Sequence, residues 1–95
     1  MRASGMDKTI SFESEVLRDT PLEFESPESN LVAGATYTPG QDILKVRLWT
    51  KMGVNTNVYR YGSVPPQVWA GFVQADSKGS YFQRCIRPMF LGVKE

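Results

Sequence analysis

The segment that most constrains this chain is residues 43–49, in which apolar and polar side chains alternate after the first residue. Successive side chains of a β-strand point to opposite faces of a sheet, so this pattern predicts a half-buried strand. The apolar side is Leu44, Val46 and Leu48, and the opposite side is Lys45, Arg47 and Trp49. We therefore expect an antiparallel sheet with one face covered and one face open.

Two further segments have the composition of strands. Residues 31–37 are rich in small and β-branched side chains, and the Pro-Gly pair within residues 38–42 predicts the turn that follows. Residues 57–61 place Tyr59 and Tyr61 on one face, with Val58 and Arg60 on the reverse. The three segments together predict a three-stranded antiparallel meander.

Two short helices are predicted after the sheet. Pro66 is suited to the first position of a helix, where its missing N–H needs no partner, and apolar residues at helical spacing extend to about Ala75. Residues 81–86 predict a second helix, with Ser80 as its N-cap and Pro88 beyond its end. Strands followed by helices indicate an α+β fold in which the helices pack on one face of the sheet.

The charged residues divide the chain into an acidic N-terminal part and a basic remainder. Residues 1–36 contain three basic and seven acidic side chains, whereas residues 37–95 contain eight basic and three acidic ones. We interpret residues 1–30 as an acidic arm that is flexible or loosely docked, and residues 31–95 as the domain. A short strand or helix around residues 10–17 that packs onto the domain is the alternative, since several large apolar residues lie there.

Composition excludes several kinds of chemistry. The 95 residues include no histidine and one cysteine, so one chain can form neither a histidine-based triad nor a Cys/His zinc site nor a disulfide. No stretch is long and apolar enough to predict a membrane span, and the N-terminus does not resemble a signal peptide. We expect a cytoplasmic binding protein with no cofactor, no metal and no enzymatic activity. Cys85 is expected to be a small buried residue.

A set of motifs resembles the KTSC domain family. The set comprises Tyr59-Arg60-Tyr61, Val64-Pro65, Val68 and residues 75–82, with Leu44, Val46 and Leu48 before it and Ile86-Arg87 after it. The resemblance covers roughly residues 31–90. The family occurs as small bacterial and phage proteins and at the C-terminus of some lysyl-tRNA synthetases, which implies an association with RNA. The acidic arm and a longer polar loop after residue 50 depart from the family pattern.

The first candidate site is the open face of the sheet. Lys45, Arg47, Trp49 and Arg60 would lie there together. Cations bind phosphates and an indole ring stacks on bases, which predicts an interface for RNA or another single-stranded nucleic acid. The alternative is an ordinary solvated face whose apolar members receive the arm. Tyr59 and Tyr61 are expected in the core instead.

The second candidate site is the turn between the two helices. Ser77, Lys78, Gly79, Ser80 and Arg84 could bind a phosphate at the start of the second helix. The alternative is a tight turn in which Gly79 has a positive φ and Ser80 only caps the helix.

These features predict a non-enzymatic binding module for RNA or single-stranded nucleic acid. One alternative is a small phage-type protein that binds and inhibits a host protein complex, and another is a binder of a small phosphorylated nucleotide. A domain of this size buries little apolar surface, so we expect either that the arm docks or that two copies form a homodimer.

Overall fold

The computed structural model of the protein describes Leu17 and residues 19–95. Most of the segment in which an N-terminal strand or helix was the alternative prediction lies outside these residues. In the described part of the chain, no helix is both long and apolar enough to cross a membrane.

The sheet has five antiparallel strands in the order of the sequence. They are β1 (Glu23–Glu25), β2 (Val32–Thr38), β3 (Ile43–Trp49), β4 (Thr56–Tyr61) and β5 (Gly92–Lys94). The α+β class is confirmed, but the prediction of three strands is wrong because β1 and β5 were missed. Both extra strands are three residues long and lie at the edges of the sheet.

The strand β1 comes from the segment that the sequence analysis assigned to the arm. Backbone hydrogen bonds flank the strand on both sides, from the Tyr37 amide to the Leu22 carbonyl (2.9 Å) and from the Ser26 amide to the Ala33 carbonyl (2.9 Å). Its central residue, Phe24, packs against the core. Residues 22–26 are therefore part of the sheet structure.

Two helical segments lie between β4 and β5 in the chain. The first, α1, spans Pro66–Gln74, with Pro66 at its start as predicted. The second, α2, spans Lys78–Tyr81 and continues directly into a π-helical turn at Phe82–Ile86. The predicted N-cap is wrong: the Ser77 hydroxyl accepts a hydrogen bond from the Ser80 amide (3.2 Å), so Ser77 is the cap and Ser80 lies in the first turn.

The helices cover one face of the sheet, which we call the inner face. Leu44 and Val46 are fully buried there, as the alternation in residues 43–49 predicts, and Leu48 is half-buried against the same core. From the helical side, the largest fully buried side chains are Trp69, Phe72, Phe82 and Ile86. Burial of this apolar surface is the main stabilising contribution to such a domain.

The indole of Trp69 lies at the centre of the core. Its ring stacks on Tyr37 and on Phe24, in each case with ring centroids 5.5 Å apart, and meets Phe72 edge-on. Its Nε1–H donates a hydrogen bond to the Pro21 carbonyl (3.0 Å). Trp69 thus joins α1 both to the sheet and to the chain before β1.

The two tyrosines of β4 lie on the inner face, as predicted. Tyr61 is buried and Tyr59 is half-buried against the core. Burial raises the pKa of the Tyr61 hydroxyl above its ordinary value, although the Arg87 guanidinium opposes the rise. Burial raises the pKa of Tyr81 in the same way, and the Tyr81 hydroxyl donates to the Val68 carbonyl (2.9 Å).

Candidate functional site

The face of the sheet opposite the helices, which we call the outer face, contains the side chains of the first predicted site. Strand register places Lys45 on β3 directly beside Arg60 on β4, and Arg47 beside Val58. Trp49 is two residues further along β3, at the end of the strand opposite Thr56. The structure therefore brings Lys45, Arg47, Trp49 and Arg60 to one surface.

Two rows of residues cross all five strands on this face. The first row is Glu23, Thr36, Lys45, Arg60 and Val93. The second row is Glu25, Gly34, Arg47 and Val58, and it ends at Glu95, which directly follows β5 and whose amide donates to the Val58 carbonyl (2.8 Å). The basic side chains of both rows are on the middle strand β3 and on its neighbour β4, as the sequence analysis predicts. Carboxylates lie toward both edges, on β1 and at Glu95 directly after β5, which the sequence analysis does not predict.

Two of the three cations have carboxylate partners. The Arg47 Nη2 atom lies 2.7 Å from Glu25 Oε2, and the Lys45 Nζ atom lies 3.4 Å from Glu95 Oε2. Both pairs are exposed to solvent, and such pairs contribute about 0–1 kcal/mol to stability. Arg60 is exposed and forms no ion pair with any residue that the structure describes.

Gly34 allows Arg47 to reach its partner. The residue occupies β2, between Arg47 on β3 and Glu25 on β1. A Cβ atom at this position would collide with the Arg47 guanidinium and would lie 2.7 Å from the Phe24 carbonyl oxygen. The absence of a side chain at Gly34 is therefore what lets the guanidinium lie across β2.

We expect Gly34→Ala to destabilise the protein by about 1–3 kcal/mol, because the added methyl group must displace the guanidinium and strain the contact between β1 and β2. Gly62→Ala is the matched control, since a Cβ there meets nothing within 4 Å. Urea denaturation of both variants measures the difference. Equal stability of the two variants would contradict the tight fit at Gly34.

The second predicted site, at the turn, has a different arrangement. The Lys78 ammonium donates to the carbonyls of Val73 (2.8 Å) and Ala75 (2.6 Å), and it lies 5.2 Å from the centroid of the Phe24 ring. Lys78 thus satisfies carbonyls at the C-terminal end of α1, where cations are favourable. Gly79 lies in the first turn of α2 and does not have the positive φ that the alternative interpretation predicts.

A groove of about 410 Å³ lies beside this turn. It is lined by Ser26, Glu28, Ser29, Asn30, Leu31, Asp76, Ser77, Lys78, Gly79 and Gln83. Two carboxylates face the groove, and its one ammonium group is held by carbonyls. Ser80 and Arg84 are not among the lining residues, and Arg84 is exposed on the π-helical turn. The structure therefore provides little positive charge for the predicted phosphate.

A second groove, of about 380 Å³, lies at the end of β3. It is lined by Pro27, Ser29, Asn30, Trp49, Thr50, Lys51 and Gly53. The two grooves share Ser29 and Asn30, so the two predicted sites flank one short segment. We call this second groove the Trp49 groove.

Other reactive groups are few. Within residues 19–95 and at Leu17, no three histidine, cysteine or acidic side chains are close enough together to hold a metal ion. Cys85 is half-buried, whereas the sequence predicts a buried residue at this position.

Sequence reasoning missed the carboxylates on the outer face. Glu25 belongs to β1 and Glu95 directly follows β5, and both strands have three residues, too few for a clear period. The one available signal was the triplet Glu23-Phe24-Glu25, in which an apolar residue is flanked by two charged ones.

Comparison with known proteins places the chain in a family. The model of the KTSC domain matches residues 28–90, which contain β2, β3, β4 and both helices. The chain belongs to the KTSC domain family. The resemblance in the sequence motifs is thereby confirmed. The strands β1 and β5, which supply Glu25 and lead to Glu95, lie outside the matched residues.

Two relatives are similar to this KTSC domain in sequence. An uncharacterized protein of Stutzerimonas stutzeri is 33% identical over 61 residues, which are 64% of this chain and 79% of that protein. A protein of Tsukamurella paurometabola is 30% identical over 66 residues, which are 70% of this chain and 91% of that protein.

The fold is also seen in a solved structure. The crystal structure of a KTSC domain protein from Yersinia pestis aligns with a TM-score of 0.64 and 26% sequence identity. The alignment covers 77% of this chain and 94% of that one. The sheet with helices on one face is thus an architecture found in this family.

Proposed function

We propose that this KTSC domain binds RNA or another single-stranded nucleic acid along the middle of its outer face. The observation that supports the proposal is the adjacency of Lys45 and Arg60, with Arg47 and then Trp49 following along β3. Cations on one strand and an aromatic ring at its end are the combination that single-strand binders use, because cations attract phosphates and rings stack on bases.

The acidic edges of the outer face favour a single strand over a duplex. Neighbouring strands of a sheet are about 4.8 Å apart, so the carboxylates on β1 and the Glu95 carboxylate just after β5 lie within two strands of the cations. A single backbone can follow β3 and remain between the edges. A duplex is wider and carries phosphates on both strands, which Glu23, Glu25 and Glu95 would repel.

The two ion pairs do not prevent this use of the cations. Each pair is exposed, and a phosphate brings the same charge and similar acceptor oxygens to Arg47 and Lys45 as the carboxylate that it replaces. Binding would exchange two carboxylate contacts for phosphate contacts and add a phosphate contact at Arg60.

Titration of a labelled single-stranded oligonucleotide at several salt concentrations tests the proposal. Three phosphate contacts on a single strand give a slope of about −2 for log K against log salt. A duplex of the same sequence should bind more weakly at every salt concentration. Binding that is insensitive to salt, preference for the duplex, or no binding at low salt would each refute the proposal.

Removing the competing carboxylates should strengthen binding. We expect Glu25→Gln combined with Glu95→Gln to raise affinity for a single strand about tenfold, or ~0.7 kcal/mol for each released ion pair. Glu28→Gln combined with Asp76→Asn is the matched control, because it removes the same charge at the groove beside the turn. If fluorescence anisotropy showed the same increase in affinity for both double variants, the effect would be due to net charge alone.

Binding to a host protein is the second candidate. It is favoured by the loop between β3 and β4, where Met52 and Val54 are 82% and 71% exposed. Large exposed apolar side chains that are close together often mark contact surfaces. Met52→Ser combined with Val54→Ser should abolish co-purification of a protein partner and leave oligonucleotide binding unchanged. Co-purification that survives this change would exclude the loop as the contact.

A further inference from the structure

The Trp49 groove continues the line of cations along β3. Lys45, Arg47 and Trp49 occupy every second position of β3 and therefore lie on the same face. Residues two apart on a strand are separated by about 6.6 Å. Along β3, Trp49 is therefore as far from Arg47 as Arg47 is from Lys45. A strand of nucleic acid held by the cations would reach the groove at its next position.

Part of the wall of the Trp49 groove is fixed by hydrogen bonds. The Trp49 amide donates to the Leu31 carbonyl (2.9 Å), and the Ser29 hydroxyl accepts from the amides of Leu31 (3.2 Å) and Val32 (3.0 Å). These contacts tie the segment containing Asn30 to the end of β3. Trp49 and Asn30 both line this groove, and the hydrogen bonds that hold their backbone segments together reduce the entropy lost when a ligand binds.

The chemistry of the groove suits an unpaired base. Trp49 is half-buried and lines the groove. The Asn30 amide has both a donor and an acceptor, as base edges require, and the Lys51 ammonium can contact a phosphate. The volume of about 380 Å³ is at the lower end of the range for small-ligand sites, about 300–1,000 Å³.

The neighbouring groove is less suitable for the same ligand. Glu28 and Asp76 line it, and its Lys78 ammonium is held by the carbonyls of Val73 and Ala75. A nucleic-acid backbone would be repelled there and attracted at Lys51.

We propose that the Trp49 groove binds one unpaired base of the nucleic-acid strand, stacked on the indole of Trp49 and hydrogen-bonded to the Asn30 amide. This inference rests on the proposed function, because the cations of the outer face deliver the strand to the groove. It adds a contact that depends on the base and not on the phosphates.

The test compares two ligands on the full chain: a short oligouridine and an abasic phosphodiester of the same length. The chain has two tryptophans, so incorporation of 5-fluorotryptophan gives two ¹⁹F resonances, which Trp49→Phe assigns. Oligouridine should shift the Trp49 resonance and leave the Trp69 resonance in place, since Trp69 is fully buried. The abasic strand should shift neither.

Affinities provide the second measurement. We expect Trp49→Ala to weaken oligouridine binding about 10-fold or more, as loss of one stacked base does, and to leave abasic-strand binding unchanged. Asn30→Ala, at an exposed position that should not affect folding, should weaken oligouridine binding a few-fold and spare the abasic strand.

The possible failures are distinguishable. Equal binding of both ligands by the wild-type chain, or an equal shift of the Trp49 resonance by both, would overturn the base groove and leave the proposed function intact. Equal weakening of both ligands by Asn30→Ala would likewise overturn the contact to the base. No binding of either ligand at low salt would refute the proposed function together with the groove.

Discussion

Replacing Arg47 and Arg60 with glutamine should weaken the binding of single-stranded RNA by about 100-fold. Each arginine is expected to make a charge-assisted contact to phosphate, and a hydrogen bond to a charged group contributes about 1.5–3 kcal/mol. Loss of two such contacts costs about 3 kcal/mol at the lower end of that range, which corresponds to more than two orders of magnitude in Kd. The slope of log K against log salt should become shallower by about 1.4.

The control for this variant removes the same charge from the helical side of the molecule. Arg84 and Arg87 are exposed there, on the π-helical turn and at its end. Arg84→Gln combined with Arg87→Gln should leave the salt slope unchanged and alter affinity only slightly. If the two double variants bound RNA equally, the outer face would not be the interface. If only the helical-side variant lost affinity, the RNA would bind at the surface near the turn between the helices.

The largest loss of stability is expected for Trp69→Ala. The side chain is fully buried, stacks on Tyr37 and Phe24, and donates a hydrogen bond to the Pro21 carbonyl. Truncation of such a residue leaves a cavity and costs about 3–5 kcal/mol. Domains of this size have little stability in reserve, so the variant should be largely unfolded at temperatures at which the wild type is folded.

The second tryptophan provides the comparison for this result. Trp49 is half-buried on the outer face and is absent from the core cluster. Trp49→Ala should therefore lower the free energy of unfolding much less than Trp69→Ala does. Urea titrations followed by circular dichroism measure both variants. A larger loss for Trp49→Ala would mean that the assignment of the two rings to core and surface is wrong.

The sequence predicts those elements of the fold in which the repeating pattern of apolar and polar residues is long enough to be recognised. The alternation over residues 44–49 of β3 indicates which face each side chain occupies, and Pro66 marks the start of α1. The strands β1 and β5 have three residues each, and a three-residue pattern does not distinguish a strand from a loop. Their existence depends on the exposed edges of β2 and β4, which is tertiary information.

The same limit applies to the candidate site: residues on the long strands could be placed from the sequence, and residues that depend on tertiary contacts could not. The position of Lys45, Arg47 and Arg60 depends only on the alternation within two strands, and the structure agrees with it. The partner of Arg47, Glu25, is 22 residues away and can be assigned only when β1 is known. Lys78 was predicted to bind phosphate because of its place in the turn. Its contacts with the carbonyls of Val73 and Ala75 depend on the angle between the two helices.

The contact between Trp69 and Pro21 affects how far the chain can be shortened. The residues that match the family begin at position 28, after the carbonyl that accepts the indole hydrogen bond and after the ring of Phe24. A fragment trimmed to the family boundary would leave a buried N–H without an acceptor and one aromatic face open to water. We therefore expect a fragment that folds as stably as the full chain to begin upstream of residue 28, where the match to the KTSC family model starts.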